Sequence, residues 1–149
     1  MREALDALQT LLIAEIATVG EVATYMKQDA WDLMNKGKTP FINLTNTALE
    51  ITRVPGMAFV DAERHIMEFQ LEYAVSAMDI DTLYTSIDTL SDDIITALKT
   101  DVTLNDTVGG LVPGEEGLSW VAEPGVIQLG SGYSAGYTMI VRYFVDSFK

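Results

Sequence analysis

Cysteine is absent from this 149-residue chain, and histidine occurs once, at His65. Without thiols there can be no disulfide framework, thiolate zinc site, thiol nucleophile or cysteine-attached haem. A serine nucleophile would have only His65 as its base, and the Gly-x-Ser-x-Gly spacing of Gly132-Tyr133-Ser134-Ala135-Gly136 leads into a strand, not into the helix that a nucleophile elbow needs. Positive charge is also scarce: 9 Lys and Arg stand against 22 Asp and Glu, a formal net charge of −13. Such a balance argues against a nucleic-acid binder that works by neutralising phosphates. No uninterrupted apolar run approaches the roughly 18 residues of a membrane-spanning helix. Leu11 to Ala14 is cut off by Glu15, and Glu3 and Asp6 stand where a secretory leader needs basic residues. The sequence therefore predicts a chain that folds in a cytoplasm, away from membranes.

The residues that are plentiful describe a folded domain. Apolar side chains make up 48% and charged ones 21%, so the chain can bury a core without covalent staples. The negative charge is unevenly spread: net −2 over residues 1–40, −3 over 41–78 and −8 from Asp79 onward. The sign never reverses. An acidic surface keeps a protein soluble, and it must either repel something or meet a basic partner.

Hydrophobic periodicity supplies the elements. Leu5, Leu8, Leu12, Ile16 and Val19 step by three or four, which stacks them on one face of an N-terminal helix, with Leu11 and Ile13 widening the stripe. A further helical segment is expected over 21–37, closed by Gly37 and Pro40. Phe41–Leu44 and Ala48–Val54 read as two strands, the second stopped by Pro55-Gly56. From His65 to Val75, Met67, Phe69, Leu71, Tyr73 and Val75 alternate with mostly polar residues, as in an antiparallel strand with one wet face. Its length predicts that it projects from the domain or pairs across a subunit boundary. A second helix is expected from Asp79 to Lys99, with Asp79 as N-cap and Met78 and Leu83 as a hydrophobic staple. Residues 102–136 read as a glycine-rich loop excursion with short strand fragments, and Tyr137–Val145 as a closing strand covered on both faces. Residues 1–149 thus read as a single α+β domain: a mostly antiparallel sheet of four to five strands packed by an N-terminal helix and a central helix.

No motif sits in the context its chemistry needs. Gly130-Ser131-Gly132-Tyr133-Ser134-Ala135-Gly136 has the wrong spacing for a dinucleotide loop and leads into a strand, so no helix N-terminus is available for phosphates. Asp79-Ile80-Asp81 and Asp92-Asp93 lack the rest of a calcium loop. The sequence predicts no enzyme, no cofactor and no metal site.

The order of elements is more specific than any motif. Pro40–Leu44 follow the first helix; then come the alternating Arg64–Val75, the acidic helix Asp79–Lys99 and the closing Tyr137-Thr138-Met139-Ile140-Val141-Arg142-Tyr143-Phe144. This order resembles the tail-terminator, or tail-completion (head–tail joining), proteins of long-tailed bacteriophages. The resemblance implies a structural virion protein of the tail or neck, assembled in the host cytoplasm. It implies a homo-oligomeric ring of six subunits that caps the tail tube and meets tail-tube and neck or connector proteins. DNA would pass through the ring without being specifically bound. By position, the subunit and tail contacts would fall on Pro55, Gly56, Met57 and Phe59, and on Gly109, Gly110, Trp120 and Tyr133. The acidic lumen face would carry Asp88, Asp92 and Asp93. Alternatives are a tail-tube or neck-adaptor subunit, or an acidic protein-binding module.

Overall fold

A computed structural model describes residues 2–16, 19, 21–24, 40–53, 62–114, 117–129 and 132–148. These form an α+β fold in which two helices pack on a mostly antiparallel sheet. Chain order is α1 (Arg2–Glu15), β1 (Glu21–Thr24), β2 (Phe41–Arg53), β3 (Ala62–Ala77), α2 (Ile80–Thr100), β4 (Gly110–Leu111), β5 (Leu118–Leu129) and β6 (Gly132–Phe148). The sheet runs β1-β2-β3-β6, and β6 shares its outer side between β5 and β4. Only the β1–β2 pair is parallel among the described strands.

The alternating segment is the centre of this sheet. β3 pairs with β6 without interruption from Ala62↔Phe148 to Ala77↔Tyr133. Directly opposite residues share a face, so Phe69, Leu71, Tyr73 and Val75 join Val141, Met139, Tyr137 and Ala135 under the helices. The expected pairing across a subunit boundary is replaced by pairing within the chain along the whole of β3. At about 3.4 Å per residue the ribbon is roughly 50 Å long, whereas α2, at about 1.5 Å per residue, is roughly 31 Å. The sheet therefore outreaches the helical layer.

Both helices bury the stripe their periodicity prescribes. α1 buries Leu5, Leu8 and Leu12, with Ile16 just beyond its end, and packs against α2, β1 and β2. Ile13, expected to widen the stripe, instead points outward at 57% exposure. α2 buries Leu83, Ile87, Leu90, Ile94 and Leu98 over β3 and β6. Asp79 caps it by accepting from the Thr82 backbone N–H and hydroxyl, both at 2.8 Å. These hydrogen bonds hold the Asp79 carboxyl below its ordinary range. The expected staple does not close: Leu83 is fully buried, but Met78 is 70% exposed.

Other boundaries differ for identifiable reasons. The expected strands Phe41–Leu44 and Ala48–Val54 merge into one, β2, as far as Arg53, because a bulge between Asn46 and Ala48 absorbs the irregularity; Val54 lies outside the described residues. Residues 21–24, expected to open a helix, form β1 beside Phe41–Leu44; the rest of the 21–37 segment lies outside the described residues. The 102–136 excursion is mostly ladder. Pro124-Gly125 is not a turn but lies within β5, where the register slips between Ala122 and Gly125. An edge strand tolerates proline because its missing N–H faces away from the ladder. The true loop is 101–109. There Leu104, Asn105 and Asp106 take φ of 48°, 55° and 61°. Asp101 holds the turn by accepting from the Thr103 and Asn105 backbone N–H groups, which lowers its own pKa. Among the described residues, helices cover β6 on one side; Thr138, Ile140, Arg142 and Phe144, on its other face, are half-buried.

Candidate interaction surface

Among the described residues, the helix-side face is not uniformly roofed. α1 covers the β1–β2 side and α2 lies over β3 and β6, so the approach to β5 is left to side chains of the sheet. Tyr133 and Tyr137 on β6 are half-buried there, with Tyr137 packed against Tyr73 at a ring separation of 5.8 Å. Trp120, on β5 opposite Met139, remains 45% exposed. Its indole N–H donates to Tyr73 Oη at 2.9 Å, and that oxygen lies 2.7 Å from Ser91 Oγ on α2. Ser91 also donates to the Ile87 carbonyl at 2.9 Å. Trp120 is therefore a positioned aromatic, tied to the sheet and to α2 through a buried hydroxyl.

The same flank of α2 carries Tyr84 and Asp88, seven and three residues before Ser91 on the stripe that ends there. Tyr84 is 46% and Ile80 43% exposed, and Met78 stands beside the start of β6, close to Gly132. Asp79, Asp81 and Asp88 are exposed around these residues. Burial raises the Tyr73 pKa, its bonds to Ser91 and Trp120 counter that, and the charge of Asp88 adds to the rise. The surface is thus an aromatic strip between α2 and β5 with an acidic margin.

Of the residues singled out from sequence, Trp120 and Tyr133 belong to this strip. Gly109 and Gly110 do not. Gly109 donates its N–H to the Phe144 carbonyl at 2.7 Å, and Gly110 pairs with Phe144, so both serve the β4–β6 junction. Pro55, Gly56, Met57 and Phe59 lie outside the described residues. Asp88, Asp92 and Asp93 are all exposed but do not form one face. With about 100° between successive helix residues, Asp88 and Asp92 point outward and toward the Trp120 flank, while Asp93 lies on the other flank. Tyr73 and Ser91 were missed as contributors to the site. Ser91 did leave a signal, since it falls four residues after Ile87, within the apolar stripe.

The opposite face carries charge in a different arrangement. Arg64 forms a two-point pair with Asp146 at 2.8 and 2.9 Å, and its guanidinium lies 4.2 Å from the Phe144 ring centroid. Arg142 reaches Glu68 at 2.6 Å. Each ion pair joins residues directly opposite in the β3–β6 ladder. The Arg64 bond holds the Asp146 carboxyl below its ordinary range. These charges are mutually satisfied and tie the two longest strands together.

His65 Nε2 is 3.5 Å from Glu63, toward the outer end of β3. Among the described residues no group of three or more His, Asp or Glu is gathered to hold a metal ion, and no helix is long and apolar enough to cross a membrane. In comparisons with known proteins, the chain matches no protein-family model and no curated protein.

Proposed function

We propose that this chain is a structural subunit that closes into a homo-oligomeric ring, of the kind that ends a phage tail tube and joins it to the head. The β3–β6 ribbon carries this reading. A rigid, fully paired ribbon that outreaches its own helical layer offers neighbouring subunits a stiff surface beyond the core. The order of helix, strand, long alternating strand, acidic helix and closing strand, on which the resemblance rests, supports it too. Six chains of −13 would gather −78 in one ring, so closure works against repulsion. Salt shortens the screening length to about 8 Å near physiological ionic strength.

Size-exclusion chromatography with light scattering tests the reading. The expected species is about six times 16.3 kDa, increasingly populated as salt rises. A monomer at high protein concentration and moderate salt overturns it, and assembly favoured by low salt overturns the electrostatic part. If DNA slides past α2, Asp88 and Asp92 share an outward side and Asp93 does not. Asp88→Lys with Asp92→Lys should then slow DNA ejection more than Asp93→Lys does.

A further inference from the structure

We infer that the aromatic strip between α2 and β5 is a docking site for a basic amphipathic segment of another protein. The segment would lay apolar side chains on Trp120, Tyr84, Tyr133 and Tyr137, with Lys or Arg flanking them. This inference holds whether or not the chain closes into a ring.

Among the described residues, the shape is that of a place left open for one more helix. Helices pack at interaxial distances of about 8–10 Å, and α1 and α2 occupy consecutive places across the sheet. The next place, over β6 and β5 beside α2, is floored by half-buried tyrosines and bounded by exposed Trp120 and Tyr84. Trp and Tyr in such positions contribute disproportionately to association, because they bury much area at little conformational cost. Trp120 is already held by its bond to Tyr73, so little ordering remains for the partner to supply.

Charge selects the occupant. Asp79, Asp81 and Asp88 line the α2 side, and α2 carries no Lys or Arg before Lys99. β5 has no basic residue, and the only Arg of β6, Arg142, pairs with Glu68 on the opposite face. A partner segment that is apolar in the middle and basic at its margins complements this surface. A second copy of a chain with net charge −13 meets it with charge of the same sign.

The test uses the whole chain and two labelled peptides about five helical turns long. One has leucines on one face and lysines on the other; its counterpart has glutamates for the lysines. Fluorescence anisotropy near physiological ionic strength should show binding of the lysine peptide only. Tyr84→Ser and Trp120→Ser should each weaken it about ten-fold or more, the loss expected of a hot-spot residue. Ile13→Ser, on α1, should leave it unchanged. Tyr84 is exposed on α2, so its variant folds even where Trp120→Ser does not, as thermal unfolding would show. Equal binding of the two peptides, or a Tyr84→Ser affinity matching that of Ile13→Ser, overturns the proposal. So does a peptide-free oligomer that Tyr84→Ser dissociates, because the occupant is then a second copy.

Discussion

Tyr143 is a buried phenol left without a hydrogen-bond partner among the described residues, and removing its hydroxyl should stabilise the protein. The residue lies on the helix side of β6, between Met67 on β3 and Leu111 on β4, with its ring 6.0 Å from that of Phe69. It is fully buried, and Oη finds no hydrogen-bond partner among the described residues. A buried polar group without a partner costs about 1–3 kcal/mol, and Tyr143→Phe recovers part of that while vacating one heavy atom. The net expectation is a gain of about 1 kcal/mol, a rise of roughly 2–4 °C in Tm for a chain of this size. Alkaline pH supplies an independent check. Burial first, and the charge of Asp101 second, push the Tyr143 pKa far above its ordinary value. The unfolded phenol ionises near pH 10 while the folded one stays protonated. Its contribution is therefore intact below about pH 10 and is lost as pH rises further, by up to about 1.4 kcal/mol per unit. Urea unfolding followed by circular dichroism at about pH 7 and about pH 10.5 should show Tyr143→Phe more stable at both, with the wider margin at the higher pH. A loss of about 1 kcal/mol at neutral pH would refute the reasoning, because it would mean that the hydroxyl is satisfied.

Tyr73→Phe should have the opposite sign, since it strands Trp120 Nε1 and deprives Ser91 of a partner; urea unfolding should show a loss of about 1–3 kcal/mol. Gly136→Ala would press a methyl to 2.8 Å from the Tyr73 carbonyl oxygen, in backbone that cannot yield cheaply. A loss of about 1–3 kcal/mol is expected from such overpacking, and an unchanged Tm would contradict the packing described. Asp79→Ala should lower Tm and speed amide exchange in the first turn of α2. Because the folded Asp79 pKa is depressed, its contribution is present above the ordinary carboxylate value of about 4 and disappears as pH falls through the folded value. The wild type should therefore lose stability more steeply than Asp79→Ala below about pH 4. Asp146→Asn should cost no more than about 1 kcal/mol, because the Arg64 pair is partly open to solvent.

Local chemistry settled much of this fold in advance. Alternation from Met67 to Val75 marks a strand with one buried face, and steps of three and four from Leu83 to Leu98 mark a helix, because those periods follow from backbone geometry alone. The cap at Asp79 was legible for the same reason: its hydrogen bonds reach only three residues along the chain. Long-range pairing was not legible. That β6 meets β3 along its whole length, that β1 lies parallel to β2, and that Pro124 sits inside an edge strand all depend on which segments become neighbours. The candidate surface lies further still from the sequence. Trp120 and Tyr133 could be named only by position, as contacts the resemblance implies. Their role arises only because Tyr73 joins Trp120 to Ser91 across 47 and 18 residues of chain. Among the described residues, two helices over a wider sheet then leave one strip unroofed. Sequence determined the elements and the sign of the charge; tertiary packing decided where aromatic surface and acidic margin coincide, because a surface exists only once the core beneath it has closed.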